Sequence, residues 1–197
     1  MDFFKIQYTV KARMALVISQ FFYKYFFKKL GTHSRIIKPI RIANSRQMVI
    51  GNNVYIDSFA FLVVDDGCEG ASFIIDDNVK LGNYNHITCT NSMHIENNVL
   101  TADRVYISYN YHCFDDPAIP IKEQGVASKG NVSIGEGSWI GDNVSIISCR
   151  IGKHCVIGAN SVVTHDVPDY SVAVGCPAKV IKTYNFRTQK WERTQTR

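Results

Sequence analysis

Acidic residues are nearly missing from the start of this 197-residue chain: residues 1–56 hold ten Lys or Arg and a single acid, Asp2. A long apolar run is missing as well. The aromatic-rich N-terminal stretch has no uncharged segment longer than residues 14–23, about half of the ~20 residues that span a bilayer. That excludes a membrane-crossing helix there. No small-residue cleavage site follows a clean apolar core, which argues against a secretory leader. The six cysteines, Cys68, Cys89, Cys113, Cys149, Cys155 and Cys176, form no CxxC pair and no zinc-finger spacing. Reduced thiols in a cytoplasmic protein are expected, several of them small core fillers. No His-x4-His pair exists, which argues against a three-histidine zinc site, and no metal is expected. Thirteen glycines and five prolines are too few for collagen-like or low-complexity sequence.

The net charge of +5 is an average over three unlike segments. Residues 1–56 carry +9, residues 57–178 carry −9 and residues 179–197 carry +5. An acidic middle with no basic stripe gives no reason to expect a nucleic-acid partner. Residues 1–33 read as a basic, aromatic-rich N-terminal α-helix. Its rings (Phe21, Phe22, Tyr23, Tyr25, Phe26 and Phe27) have two possible uses. They dock on the body or on a sister subunit, or they lie in a membrane interface while the lysines meet anionic headgroups. The second use would make the protein peripheral to the inner face of a membrane.

What is abundant is a repeat of period six. The runs are 50–55 (IGNNVY), 56–61 (IDSFAF), 75–80 (IDDNVK), 81–86 (LGNYNH), 95–100 (IENNVL), 101–106 (TADRVY), 134–139 (IGEGSW), 140–145 (IGDNVS), 151–156 (IGKHCV) and 157–162 (IGANSV). Period six fits neither an amphipathic helix nor a simple alternating strand. It fits a short strand and a turn, with the aliphatic residue inward and the following Gly, Asn or Asp tolerating positive φ. Three such sides close a coil of 18 residues, and stacked coils make an all-β solenoid, a parallel β-helix. The expected domain runs over 34–182, with a short basic C-terminal tail at 183–197. The phase breaks at 63–73, around Asp65, Asp66 and Gly67, and at 108–131. A loop as long as the second break, set on a rigid scaffold, is a candidate functional element.

These runs, with 157–168 (IGANSVVTHDVP) and 174–181 (VGCPAKVI), resemble the hexapeptide-repeat acyltransferases, and within them the bacterial sugar O-acetyltransferases of capsule and lipopolysaccharide. The resemblance covers about residues 36–182 and is densest from 131 onward. It implies a left-handed coil, a homotrimer with active sites between subunits, acetyl-CoA as co-substrate and a sugar or glycan acceptor.

Acyl transfer to a hydroxyl needs a base, and histidine is suited to that near neutral pH. Of the six histidines, only His112 lies in the long break, in a segment resembling the family's catalytic one, and it is the expected general base. Where close relatives carry Asp-His, this chain has Tyr109 and Asn110, so Asp115, Asp116 or a backbone carbonyl would orient the ring. His94, one coil period before His112, could stack beneath it. The resemblance gives Asn83 and Asn85 to acceptor binding, with Asn85 favoured. It gives Trp139 to the pantetheine arm, Gly141 and Ala159 to the coenzyme A groove, and Thr164 and His165 to its nucleotide end; Lys179 and Lys182, as compact charges, suit the coenzyme A phosphates or simply a solvated basic tail. No cysteine has the company of an activated nucleophile, so transfer would be direct. N-acetylation of an amino-sugar nucleotide and a non-catalytic structural β-helix are the competing readings.

Overall fold

A computed structural model describes residues 3–65, 72–128 and 130–194. Cys68 and the Asp66 and Gly67 of the first break lie outside the described residues. Among those described, the chain visits three parallel sheets in strict rotation. The first face holds Lys29–Leu30, Met48–Ile50, Ser72–Ile75, Ser92–Ile95, Val132–Ile134 and Arg150–Ile151. The second holds Arg35–Ile36, Tyr55–Ile56, Lys80–Leu81, Leu100–Thr101, Trp139–Ile140 and Val156–Ile157. The third holds Arg41–Ala43, Phe61–Val64, His86–Cys89, Tyr106–Ser108, Ser145–Ile147 and Val162–Val163.

Registration puts like residues on top of one another. Ile50, Ile75, Ile95, Ile134 and Ile151 form one column down the first face, each within 2% of full burial. Each hexad has a second inward position four residues on, filled by Val54, Val79, Val99, Val105 and Val144 among others. These columns are the core, and burying each such side chain contributes about 1.5–3 kcal/mol.

The turn chemistry differs from the sequence expectation. Positive φ falls on the third residue after the aliphatic one: Asn53 at 55°, Asn78 at 60°, Asn98 at 60° and Asn143 at 56°. The glycine immediately after the aliphatic residue has another job. A Cβ on Gly82 would sit 2.4 Å from the Ala102 carbonyl oxygen of the next coil. Only a residue without a side chain lets the coils close there. Carboxylates bind across the same corners: Asp77 and Asp103 accept the backbone N–H of Asn52 and Asn83, each at 2.7 Å. Asn52 holds the Asp77 carboxyl below its usual range.

Two segments depart from the coil. The N-terminal helix, Phe3–Phe21, lies against the second-face strand of the first coil through Ala12, Ala15 and Ser19. Ser19 accepts the Ile36 N–H at 3.0 Å, and Phe27 enters the core at the end of the coil. At the other end, Ser171–Gly175, Ala178–Asn185 and Lys190–Arg193 extend the second face as an antiparallel meander. The strand Ala178–Asn185 runs through position 182. Sheet therefore continues past the expected boundary: of the described tail residues 183–194, seven are strand, added along the edge that Val172 and Ala173 leave open.

Candidate active site

The long break is a hairpin arm. Asn110–His112 pairs antiparallel with Val126–Ser128, and His112 stands opposite Val126. The arm leaves the corner between the third and first faces. Its root is fixed by Tyr109, fully buried at the inward position that Val64 and Cys89 occupy in the coils before. The Tyr109 hydroxyl accepts the Asn91 N–H and lies 3.4 Å from Cys89 Sγ, and burial raises its pKa. Ser108 donates to Asn110 Oδ1, and the Asn110 amide donates to Asp65 at 3.3 Å. Sequence reasoning gave Tyr109 and Asn110 no anchoring role. The cue was the two-residue alternation of the third-face strands.

His112 itself is exposed, and within the described residues its ring has no hydrogen-bond partner. Asp116 does not orient it, because its carboxylate accepts the Ala118 N–H at 2.8 Å inside the arm. His94 is not beneath it either. It lies on the first face, where its Nε2 is 2.8 Å from Asp76. His86 is on the third face, stacked on Phe61 at 4.1 Å, and burial lowers its pKa.

The expected coenzyme residues gather elsewhere. Trp139 projects from the second face, 49% exposed. It pairs with Val156, Val156 with Val172, Val172 with Lys182 and Lys182 with Arg193. Four steps at a strand spacing of about 4.8 Å make a stretch about 19 Å long from Trp139 to the cations Lys182 and Arg193; on the other side of Trp139 the row continues through Leu100 to Lys80. Sequence reasoning missed Arg193, which joins the row only through the meander. Lys179 is exposed on the same strand as Lys182, opposite Val174. Gly141 and Ala159 stack at the corner between the second and third faces, where a Cβ on Gly141 would meet the Ala159 nitrogen at 2.7 Å. Thr164 and His165, 3.0 Å apart, are exposed at the arm's corner in the last coil, away from the Trp139 row.

Asn83 sits at the corner between the second and third faces with its amide on Asp103. Asn85 is corrected: it is 0% exposed and points into the coil. Its amide donates to Thr101 Oγ1, and its side-chain oxygen accepts the Val105 N–H at 2.8 Å. With none of its surface exposed, Asn85 turns no atom outward to an acceptor.

In a three-sided coil the corner between the first and third faces lies opposite the second face. His112 and Trp139 are therefore at similar height on opposite sides of one chain. A site using both needs the arm of one copy against the second face of another.

Among the described residues no group of three or more His, Cys, Asp or Glu could hold a metal ion, and no helix is long and apolar enough to cross a membrane. Burial pushes the Cys149 thiol up to about 11 and raises that of Cys155. Only the thiolate reacts. In the native protein, maleimide should label exposed Cys176 first and leave Cys149 and Cys155 unmodified, as peptide mass mapping would show. Rapid labelling of Cys149 would contradict its enclosure.

Residues 131–165 match the family described as bacterial transferase hexapeptide (six repeats). Two relatives carry provisional functional names. One, named as the acetyltransferase Rv3034c of Mycobacterium tuberculosis, is 40% identical over 147 residues, 74% of this chain and 46% of that one. This chain therefore spans less than half of that relative. The other, WbbJ of Escherichia coli K12, is named as an O-acetyl transferase of lipopolysaccharide biosynthesis and is 36% identical over 168 residues, 81% of this chain and 84% of WbbJ. A crystal structure of AntD, an N-acyltransferase from Bacillus cereus, in complex with dTDP and 3-hydroxybutyryl-CoA, superposes with a TM-score of 0.72 at 23% identity, covering 86% of this chain and 90% of that one. That likeness establishes the fold. With WbbJ matched over most of its length, the chain belongs to the bacterial hexapeptide-repeat transferases.

Proposed function

We propose that this protein is an acetyl-CoA-dependent O-acetyltransferase that modifies a sugar hydroxyl of a cell-surface polysaccharide or its precursor. It works in the cytoplasm as a homotrimer of left-handed coils. The observation that carries this reading is the Trp139–Val156–Val172–Lys182–Arg193 row, which suits an extended pantetheine arm ending in phosphates. Lysine and arginine are phosphate ligands. The His112 arm of a neighbouring subunit supplies the base.

His112 accepts the hydroxyl proton as the sugar oxygen attacks the thioester carbonyl. The tetrahedral intermediate then expels the coenzyme A thiolate, to which protonated His112 passes that proton. A backbone N–H stabilises the oxyanion. Asn83, at the corner between the second and third faces and two strands before Trp139, is retained for the acceptor.

The sequence likeness to WbbJ supports hydroxyl acylation. The fold likeness to AntD, an N-acyltransferase, keeps amino-sugar acylation as the second reading. A panel of nucleotide sugars, lipid-linked glycans and polymers, incubated with acetyl-CoA and analysed by mass, separates the two. The expected product is an ester, released by mild alkali. An alkali-stable amide formed only on amino sugars would replace this reading with the second, and no turnover on any acceptor would remove both.

A further inference from the structure

The N-terminal helix has its amphipathicity reversed. The side it gives to the body is small or polar: Ala12, Ala15 and Ser19. Val10, Met14, Val17 and Phe21, which repeat with helical spacing, are 49%, 59%, 56% and 74% exposed, Val10 and Met14 at the rim of the groove that separates helix and body. The chain that follows continues this surface with Phe22, Tyr25 and Phe26, each at least half exposed. Soluble monomers rarely leave so large a contiguous apolar face open.

Between helix and first coil runs a groove of about 400 Å³, lined by Val10, Met14, Ile18, Tyr23 and Ile36, with Lys11 and Lys38 among its walls. Lys24, Lys28 and Lys29 accompany the exposed rings. From residue 3 to residue 56 the chain holds no acid at all.

Two occupants suit an apolar face ringed by cations: a lipid surface with anionic headgroups, and an acidic face of another copy. The body is acidic, but the carboxylates that build its corners are already engaged. Asp77, Asp103, Asp166 and Asp169 each accept a backbone N–H from a neighbouring coil at 2.7–2.9 Å. The exposed rings need an apolar boundary beside the anions, which a lipid surface supplies. We infer that the helix and the aromatic segment after it form a docking surface for an anionic membrane. The rings and methionine enter the acyl boundary while the lysines stay at headgroup level. The inference does not rest on the catalytic reading.

The test uses the full-length protein and sedimentation with phosphatidylcholine vesicles, with and without phosphatidylglycerol. Native protein should bind the anionic vesicles, and raising salt should weaken binding by about ten-fold or more. Two double variants, Phe21→Ser with Phe22→Ser and Lys24→Glu with Lys28→Glu, should each reduce binding by at least about ten-fold. Their melting temperature and their mass by light scattering should be those of the native protein. Absence of vesicle binding by the native protein would overturn the inference. So would variants that bind as well as native, or variants whose mass falls to that of a smaller assembly, since the face would then be a subunit interface.

Discussion

Replacing His112 with alanine is expected to lower acetyl transfer by about 10²–10⁴-fold, the usual contribution of a positioned general base. Coenzyme A binding and thermal stability should be unchanged, because the His112 side chain is exposed and no described residue bonds to it. The measurement is turnover alongside coenzyme A affinity and a melting curve. Full activity in the variant would end the assignment. A second arm tests the geometry. His112 and Trp139 lie on opposite sides of one chain, so a site needs one from each of two copies. Trp139→Ala should raise the KM for acetyl-CoA. At acetyl-CoA concentrations below that KM, His112→Ala and Trp139→Ala should each turn over by itself at only a small fraction of the native rate. Subunits of the two, refolded together, should regain activity through sites that combine an intact arm with an intact row. Failure of mixed assemblies to regain any activity would show that each chain builds its own site.

The second large effect concerns stability. Asn85→Ala removes the partner of the buried Val105 N–H and one of the two donors to Thr101 Oγ1, which keeps the Gly82 N–H at 3.2 Å. Each buried group left unpaired costs about 1–3 kcal/mol. With the cavity added, the variant should lose roughly 2–5 kcal/mol. For a chain of this size that lowers the melting temperature by about 5–15 °C. At low temperature, activity and the KM for acceptor should stay near native values. An unchanged melting temperature with a raised acceptor KM would restore Asn85 as an acceptor ligand.

Asn85 also shows how far the hexad pattern could be read. It stands four residues after Leu81, where other hexads carry Val54, Val79, Val99 and Val105. Its phase in the hexad was sufficient to place it inward. The family resemblance pointed outward, because it matched a short local string without its phase. Trp139 shows the opposite case: its place as the last residue of its hexad, before inward Ile140, put it outside, and so it is. Tyr109 was readable only once the third-face strands were known to alternate, since the hexad count stops where the arm begins.

The period of six by itself determined the three-sided coil, its inward columns and the point where the arm leaves. Each of these depends on a local alternation of strand and turn repeated along the chain. Only the tertiary structure decided which site residues are neighbours. Strand pairings between coils join residues sixteen or more apart, with the 108–131 or the 63–73 phase break between some of them, and nothing local records how such breaks set the register. That is why Arg193 joins the row of Trp139 while His112, nearer to it in sequence, stands on the opposite side.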